Sequence, residues 1–408
     1  MGKEVKIKNI VFNLFFIIAL ICVFDVFFKP LEKVNFVFIN KILNSTRQAQ
    51  NVAPQRLFIN AWRIAKIEYV DSTMNNQDWY RWRVKYVKHI KTMEDADVAI
   101  NSMLLSLNDP YAKFLKSKSF SSQKMILDSK ITGVGVMFNK TGDEVIVNHI
   151  LKNSSAQNQN ILPGDKIVSI NNIDVKNMSS EDIHSYMEGH KKKSIDMVIQ
   201  RGEKLIYKKL EQKEIYLDTM SYKTTKDNIS IIRLSNIMGE KALSDFKKII
   251  LQTNNSKGLI IDLRNNYGGI LANAVLMSDL MISDEKKIVS IVSRGVSKFD
   301  IFADEENIFI KKPIVILVNK KTASAAEILA GVLKDSADAV LIGENTYGKN
   351  SIQQIIPMTN NSGMIITSAK YILPNGEDIH DIGIEPNSYV DDKDIMKEAI
   401  NLINKLAG

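Results

Sequence analysis

One short stretch decides the fold of this 408-residue chain: Lys321-Thr322-Ala323-Ser324-Ala325-Ala326-Glu327. It follows an apolar run, Pro313 to Val318, that predicts a buried strand, and it leads into a predicted helix from about Ala325 to Lys334. A serine on such a tight strand-to-helix turn lies beside backbone N–H groups that could stabilise a developing oxyanion. The stretch therefore predicts a nucleophilic site on a fold in which strands alternate with helices.

A lysine that follows this serine is its candidate base. Lys349, 25 positions after Ser324, lies in the loop Gly343-Glu344-Asn345-Thr346-Tyr347-Gly348-Lys349-Asn350-Ser351-Ile352-Gln353. A serine nucleophile needs a base within hydrogen-bond reach. A lysine, with an ordinary pKa of ~10.4, serves only if burial lowers that pKa toward the working pH. The pair predicts a Ser-Lys hydrolase.

Five motifs, in order and spacing, resemble those of the C-terminal processing peptidases, also called tail-specific proteases. They are Asp109-Pro110-Tyr111, Ile261-Asp262-Leu263-Arg264-Asn265-Asn266-Tyr267-Gly268-Gly269, the Ser324 and Lys349 stretches taken together, Tyr371-Ile372-Leu373-Pro374-Asn375-Gly376, and Gly383-Ile384-Glu385-Pro386. The resemblance covers roughly Leu57 to Pro386. It implies an α/β fold: a βαβ-rich protease core of the crotonase/ClpP-like kind, with an inserted PDZ domain and a helical N-terminal region.

The resemblance also implies catalytic roles. Ser324 is expected to be the nucleophile, and Lys349 the general base that later returns the proton to the leaving amine. Gln353 is expected to orient the lysine by accepting a hydrogen bond from it. The adjacent Gln354 leaves a one-residue shift of that role open.

An oxyanion hole is expected to combine the N–H of Ala325 with one from Gly268 or Gly269, and the sequence leaves the choice of glycine open. The chain departs from the family pattern nearby. Tyr267 stands where proline or glycine is usual before the two glycines, and Asn350 replaces the frequent glycine after the lysine. Neither change removes a catalytic group.

Residues from Ile131 to about Lys213 predict short strands, one helix and turns, and resemble a PDZ domain. Consecutive N–H groups can bind the carboxylate of a peptide that adds as a strand to a sheet edge. The expected peptide-binding residues are Gly133, Val134, Gly135, Val136 and Arg201. Arg201, which ends the last strand of this region, could also link the PDZ domain to the protease. Without the downstream motifs, the glycines would predict only a turn into a strand.

After Tyr216, predicted strands and helices alternate. The strands are Ile229 to Leu234, Gly258 to Leu263, Ile288 to Val292, Pro313 to Val318 and Ala339 to Gly343. This alternation predicts a largely parallel sheet covered by helices. Because ligands bind at the carboxyl ends of such strands, the two glycines and Ser324 are expected to meet in one crevice.

The predicted boundaries divide the chain into four parts. Residues 1–30 are a cytoplasmic stub and membrane anchor, 31–120 a helical N-terminal region, 121–213 the PDZ domain and 214–408 the Ser-Lys protease core.

The anchor is predicted from Ile10 to Phe28, an apolar run whose single charge is Asp25 and whose length is roughly 28 Å as a helix. Lys3, Lys6 and Lys8 before it favour a cytoplasmic N-terminus. A cleaved signal peptide is the alternative, although no small-x-small cleavage site follows the run. The expected location is the bacterial inner membrane, single-pass, with the catalytic domain on the periplasmic or extracytoplasmic side.

Composition excludes several classes of protein. The net charge is +8, but the lysines are dispersed and form no basic face, so no nucleic-acid partner is expected. Cys22 is the single cysteine, which excludes an intrachain disulfide and a cysteine protease. No HExxH or other ligand spacing predicts a metal, and no cofactor is expected. The expected partners are protein or peptide substrates through their C-terminal tails and the membrane through residues 10–28, with a homo-oligomer or an adaptor protein left open.

Together these features predict a serine endopeptidase that cleaves proteins in their C-terminal regions after PDZ capture of an apolar tail. Three alternatives stay open at this point. His380, beside Asp378 and Asp381, could be the base of a Ser-His-Asp site. The chain could be a non-catalytic PDZ adaptor that binds protein C-termini, or a retinoid- or lipid-binding relative of the same core fold.

Overall fold

A computed structural model of the chain describes residues 53–188, 193–304, 308 and 312–408. From Ala53 to Gly408 the chain forms one compact unit. The predictions made for residues 1–52, including the anchor and Cys22, lie outside the described residues. The domain boundaries therefore stay a prediction.

The N-terminal region is helical, as its apolar periodicity predicts. It contains α1 (Pro54–Glu68), α2 (Tyr80–Tyr86) and α3 (Met93–Leu105). A capping box between Thr92 and Asp95 begins α3 by satisfying exposed backbone donors at its first turn. The helices bury a shared apolar core that also includes Phe114 and Met364. Because Met364 belongs to a strand of the C-terminal region, the helical region packs directly on that region.

The PDZ domain enters and leaves through one two-stranded ribbon. After α4 (Ser117–Leu127), β2 (Lys130–Gly133) pairs antiparallel with β9 (Lys213–Tyr216). Between them lie β3 (Val136–Thr141), β4 (Glu144–Ile150), α5 (Ser155–Asn158), β5 (Lys166–Ile170), β6 (Ile173–Asp174), the 3₁₀ turn Val175–Asn177, α6 (Ser180–Met187), β7 (Ser194–Arg201) and β8 (Lys204–Glu211). The sheet order is β3-β4-β5-β7-β8, so β3 is an edge strand.

A largely parallel sheet forms the centre of the protease core and confirms the predicted fold class. Its elements are β10 (Met220–Thr224), β11 (Ile229–Leu234), α7 (Ala242–Gln252), β12 (Gly258–Asp262), α8 (Leu271–Asp279), β15 (Ile314–Val318), α9 (Ala325–Ser336), β16 (Val340–Gly343), β19 (Ser388–Tyr389) and α10 (Ile395–Leu406). The strand order is β10-β11-β12-β15-β16-β19, and only β10 runs antiparallel to its neighbour. Strands β12 and β15 are buried throughout, which explains their unbroken apolar runs.

A second, antiparallel sheet lies beside the first and corrects one prediction. It contains β1 (Lys113–Leu115), β13 (Lys287–Ser293), β14 (Val296–Phe302), β17 (Ser351–Pro357) and β18 (Gly363–Ile372). The strand Ile288 to Val292 was expected in the parallel series, but β13 pairs antiparallel with β14 and β18. The short turn between β13 and β14, with Gly295 at φ 76°, reverses the chain as a hairpin and leaves no crossover for a parallel pairing.

The location predicted from the sequence needs a correction. Among the residues that the structure describes, no helix is long and apolar enough to cross a membrane. The longest described helix, α1, has 15 residues, whereas a crossing needs about 20 apolar residues. The prediction of a single-pass bacterial inner-membrane protein with a periplasmic catalytic domain is therefore wrong for the described chain. The segment Ile10 to Phe28, on which it depended, lies outside the described residues.

Candidate active site

Ser324 occupies a strained turn between β15 and α9. Its backbone has φ 56° and ψ −121°, a region that residues other than glycine rarely adopt. The Thr322 hydroxyl stabilises the turn by donating to the Leu263 carbonyl at 2.9 Å. A second hydrogen bond, from the Ala323 N–H to the Asn266 carbonyl at 2.9 Å, also stabilises the turn. A strained serine on a sharp strand-to-helix turn is the geometry that exposes the nucleophile in hydrolases of the nucleophile-elbow type.

The buried carboxylate of Glu327 joins the serine turn to the lysine loop. Its Oε2 accepts from the backbone N–H groups of Ser324 at 2.7 Å and Lys349 at 2.9 Å. Its Oε1 accepts from the Thr346 hydroxyl at 2.5 Å and the Gly348 N–H at 2.6 Å. Glu327 is 0% exposed, and these four hydrogen bonds satisfy its charge. The phenol of the buried Tyr371 adds a second link, because it reaches the carbonyls of both Ser324 (3.2 Å) and Lys349 (2.9 Å).

The Lys349 amine contacts the second sheet. It donates to Gln353 Oε1 at 2.5 Å and to the Ser351 carbonyl at 2.9 Å. The Gln353 amide nitrogen donates to the Ser351 hydroxyl (3.0 Å) and to the Thr367 hydroxyl (3.1 Å), so its oxygen is left facing the lysine. Gln354, the neighbouring alternative, is exposed to solvent. Gln353 is thus the glutamine that contacts the lysine.

Burial changes the chemistry of this lysine. It lowers the pKa of Lys349 to about 8, while the nearby carboxylates of Glu327 and Asp109 act in the opposite direction. A substantial fraction of the amine is therefore neutral near pH 8, as a general base requires. Among the described contacts, no hydrogen bond joins the Ser324 hydroxyl to the Lys349 amine. Their backbones are brought together, but the amine is directed at Gln353.

Among the described residues, the backbone N–H groups of Ala325 and of Gly269, the residue after Gly268, donate no hydrogen bond. The Gly268 N–H, in contrast, donates to the buried Asn266 side chain at 2.8 Å. A Cβ on Gly268 would lie 3.0 Å from the Ala325 nitrogen and 2.7 Å from the Ala323 carbonyl oxygen, so only glycine permits this approach. Gly268 thus packs directly on the serine turn, whereas Gly269 packs against the backbone of Ile237.

The His380 side chain makes no hydrogen bond to Ser324 or Lys349 among the described residues, although its loop packs on the lysine loop, where the Asp381 N–H donates to the Gly348 carbonyl at 2.9 Å. His380 is exposed, and its ring is 3.6 Å from the carboxylate of Asp381, which is itself exposed. Asp378 instead accepts hydrogen bonds from the His380 N–H at 3.0 Å and from the Asn350 side chain at 2.6 Å. Asn350, which departs from the family pattern, is therefore a buried residue that fixes the loop after Lys349.

The predicted peptide-binding segment of the PDZ domain lies between β2 and β3. The Val134 N–H donates to the Met187 carbonyl at 3.2 Å, so α6 already uses one of the expected donors. Gly135 has φ 82°, and a Cβ there would lie 2.1 Å from the Ser154 Cβ, which explains the need for glycine. Arg201 donates to the buried Asp165 at 2.6 and 2.8 Å and to the Asn160 carbonyl at 2.7 Å. Its contacts lie within the PDZ domain, and its peptide-binding role stays a prediction.

Three residues of the site were not assigned a role from the sequence: Glu327, Tyr371 and Tyr111. The spacing of Ser324 and Glu327 is that of a capping box, and this local signal could have identified the glutamate. Tyr111 places its ring 4.6 Å from the Lys349 amine. No local pattern connects two residues so far apart in the chain.

Comparison with known proteins gives matches along most of the chain. The family model of peptidase family S41 matches residues 228–390, and that of the PDZ domain matches residues 124–200. A carboxyl-terminal-processing protease of Picosynechococcus is 31% identical over 345 residues, which cover 82% of this chain and 83% of that one. The carboxy-terminal processing protease CtpA of Bacillus subtilis is 31% identical over 309 residues, 74% of this chain and 66% of that one.

Solved structures agree with these matches. A structure described as the photosystem II D1 C-terminal processing protease is 26% identical, covers 88% of this chain and 98% of that chain, and gives a TM-score of 0.58. The tricorn protease is 17% identical with a TM-score of 0.52, covering 87% of this chain and 37% of that chain, and shares the fold only.

Replacing Glu327 with glutamine is expected to destabilise the chain by about 1–3 kcal/mol, because the amide NH₂ must face an N–H donor that the carboxylate accepted. Urea unfolding followed by tryptophan fluorescence measures this loss. Glu377→Gln, on an exposed turn, is the control and should change stability by less than about 0.5 kcal/mol. Equal stability of the two variants would contradict the role of Glu327.

Proposed function

The chain belongs to peptidase family S41 and is a serine-type peptidase, as its motifs predicted, and from this we propose that it is an endopeptidase that cleaves proteins in their C-terminal regions. Ser324 is the proposed nucleophile and Lys349 the proposed general base. The observation that carries this assignment is the shared Glu327 oxygen, which accepts from the backbones of both residues. Helix capping explains the bond from Ser324, but it does not explain why the lysine loop uses the same buried oxygen.

In the proposed first step, neutral Lys349 takes the Ser324 proton as the serine oxygen attacks the substrate carbonyl. The backbones are already held by Glu327, so only the lysine side chain has to turn from Gln353 toward the serine. The lysine then gives the proton to the leaving amine, which leaves an acyl-enzyme. Water hydrolyses this ester in a second step, with the lysine again as base.

The N–H groups of Ala325 and Gly269 are the proposed oxyanion hole. The Ala325 N–H opens helix α9, where the backbone donors of the first turn have no partner within the helix. Because Asn266 accepts from the Gly268 N–H, Gly269 is the glycine whose donor is left for the substrate. Preorganised donors of this kind stabilise the charge that develops in the transition state.

The edge strand β3 is the proposed site of tail capture. It pairs with β4 alone, and α6 lies beside it with the His184 ring 4.6 Å from the Phe138 ring. An extended peptide could add to this edge and present alternate side chains toward Phe138. An apolar tail fits because the surface that it would meet is aromatic. The relatives named as C-terminal processing proteases support this substrate class.

The nucleophile and base are tested with a folded protein that carries an apolar, unfolded C-terminal tail. Wild-type chain is expected to cleave it, and both Ser324→Ala and Lys349→Ala are expected to lose at least about 10³-fold in rate, because each removes one half of the proton-transfer pair. Mass spectrometry locates the cleavage sites.

His380→Ala and Lys320→Ala are the matched controls for this experiment, because both residues are exposed and contact neither Ser324 nor Lys349 in the described structure. Both should cleave at the wild-type rate. If His380→Ala lost cleavage activity and Lys349→Ala retained it, the base would be His380. Binding of the tail without cleavage by the wild-type chain would instead favour the adaptor.

The pH dependence follows from the lysine. Burial lowers the pKa of Lys349 to about 8, and only the neutral amine accepts a proton. Cleavage measured as kcat/KM should therefore rise as the pH increases through about 8 and level off above it. A rise centred near pH 6 to 7, where an ordinary histidine titrates, would contradict a lysine base.

Tail capture is tested by replacing Phe138 with alanine. The variant should raise KM for the tailed protein by roughly 10-fold, because it removes the aromatic contact, and should leave acylation by a small serine-reactive probe unchanged. Met137→Ala is the control, since Met137 is exposed on the opposite face of β3. An unchanged KM in Phe138→Ala would remove β3 as the binding edge.

A further inference from the structure

The aromatic ring of Tyr111 covers the amine of Lys349. The ring centroid lies 4.6 Å from the lysine nitrogen, which also donates to Gln353 and to the Ser351 carbonyl. Tyr111 belongs to the segment between α3 and β1, in the N-terminal region. A residue from outside the parallel sheet therefore completes the surroundings of the proposed base.

Two features hold Tyr111 in place: its own turn and the strand that follows it. Its N–H donates to the Asp109 side chain at 2.9 Å, which closes the Asp109-Pro110-Tyr111 turn. The strand β1 that follows pairs with β18, and β18 pairs with β17, which carries Gln353. The phenol lies near the side chain of Tyr347 in the lysine loop. The ring position is thus built into the same strands that position the lysine.

We propose that Tyr111 is a positioning residue for the general base, whose ring keeps water from the Lys349 amine and holds that amine in place. The inference depends on the proposed Ser-Lys mechanism. The ring has two opposing effects. It excludes water, which favours the neutral amine, and its π face attracts the ammonium, which favours the charged form.

Several other ionisable groups face this lysine, and they limit what a pH profile can report. Glu327 from α9 and Asp109 beside Tyr111 act on the amine, Tyr347 in the same loop acts on Tyr111, and the Tyr371 phenol from β18 donates to the Lys349 carbonyl. Burial, followed by the nearby Tyr347, raises the pKa of Tyr111 to about 12, so the phenol is neutral wherever the lysine titrates. A shift in the profile on replacing Tyr111 therefore reports on Lys349.

The two effects of the ring are separated by two substitutions. Tyr111→Leu keeps an apolar cover but removes the π face, so the half-point of activity should move to lower pH by roughly 0.5 unit. Tyr111→Ala opens the amine to water, so the half-point should move to higher pH by about 1 unit. Tyr111→Phe keeps both effects and should leave the half-point unchanged. Tyr207→Ala, a 77% exposed tyrosine of the PDZ domain, is the control.

The readout is the rate at which a small fluorophosphonate acylates Ser324, measured from about pH 6 to 10. This probe needs no tail capture, and labelling is located by mass spectrometry. The proposal is supported if the pH of half-maximal labelling is lower than that of the wild type for Tyr111→Leu and higher for Tyr111→Ala. If the wild type is labelled at Ser324 but the half-point of Tyr111→Ala equals that of the wild type, the role of Tyr111 alone is overturned. Absence of labelling at Ser324 in the wild type overturns the Ser-Lys mechanism and this inference with it.

Discussion

The Glu327 carboxylate is fully buried, and its two oxygens accept hydrogen bonds from two segments that meet only in the folded chain. A buried charged group is stable only where hydrogen bonds compensate it. Otherwise the free-energy cost of desolvation exceeds the free energy gained by packing. The serine turn and the lysine loop must therefore form together around this group. The strained backbone of Ser324 depends on its surroundings in the same way. A residue keeps unfavourable backbone angles only where several neighbouring contacts hold it there.

The parallel sheet explains why the reacting groups meet. Strands β12, β15 and β16 are neighbours, and the glycine pair, Ser324 and the Lys349 loop each follow the carboxyl end of one of them. Neighbouring parallel strands end at the same edge of the sheet. The three segments that follow them therefore lie close together although they are separated in sequence. Helix α9 begins directly after Ser324, so the N–H groups of its first turn lie beside the serine.

The surroundings of the proposed base include residues that the parallel sheet does not supply. Gln353 comes from the antiparallel sheet, and Tyr111 comes from the segment that follows the N-terminal helices. The N-terminal region packs on β18 through Met364, so its stability and the surroundings of Lys349 are physically connected. Neither Glu327 nor Asp109 favours a neutral lysine. The lowered pKa of this amine is therefore a property of the packed molecule and of the burial that only packing provides.

By itself, the sequence determined the family, the fold class and the order of most core elements, and it predicted which segments carry the chemistry. The strand Ile229–Leu234 was predicted with the bounds observed, because apolar runs and turn residues are local signals. Tertiary structure alone decided the pairing of β13 with β18, the availability of the Gly269 rather than the Gly268 N–H, and the contact of Tyr111 with Lys349. Each of these depends on where a distant segment lies or which way one N–H points. Neither periodicity nor spacing records that information.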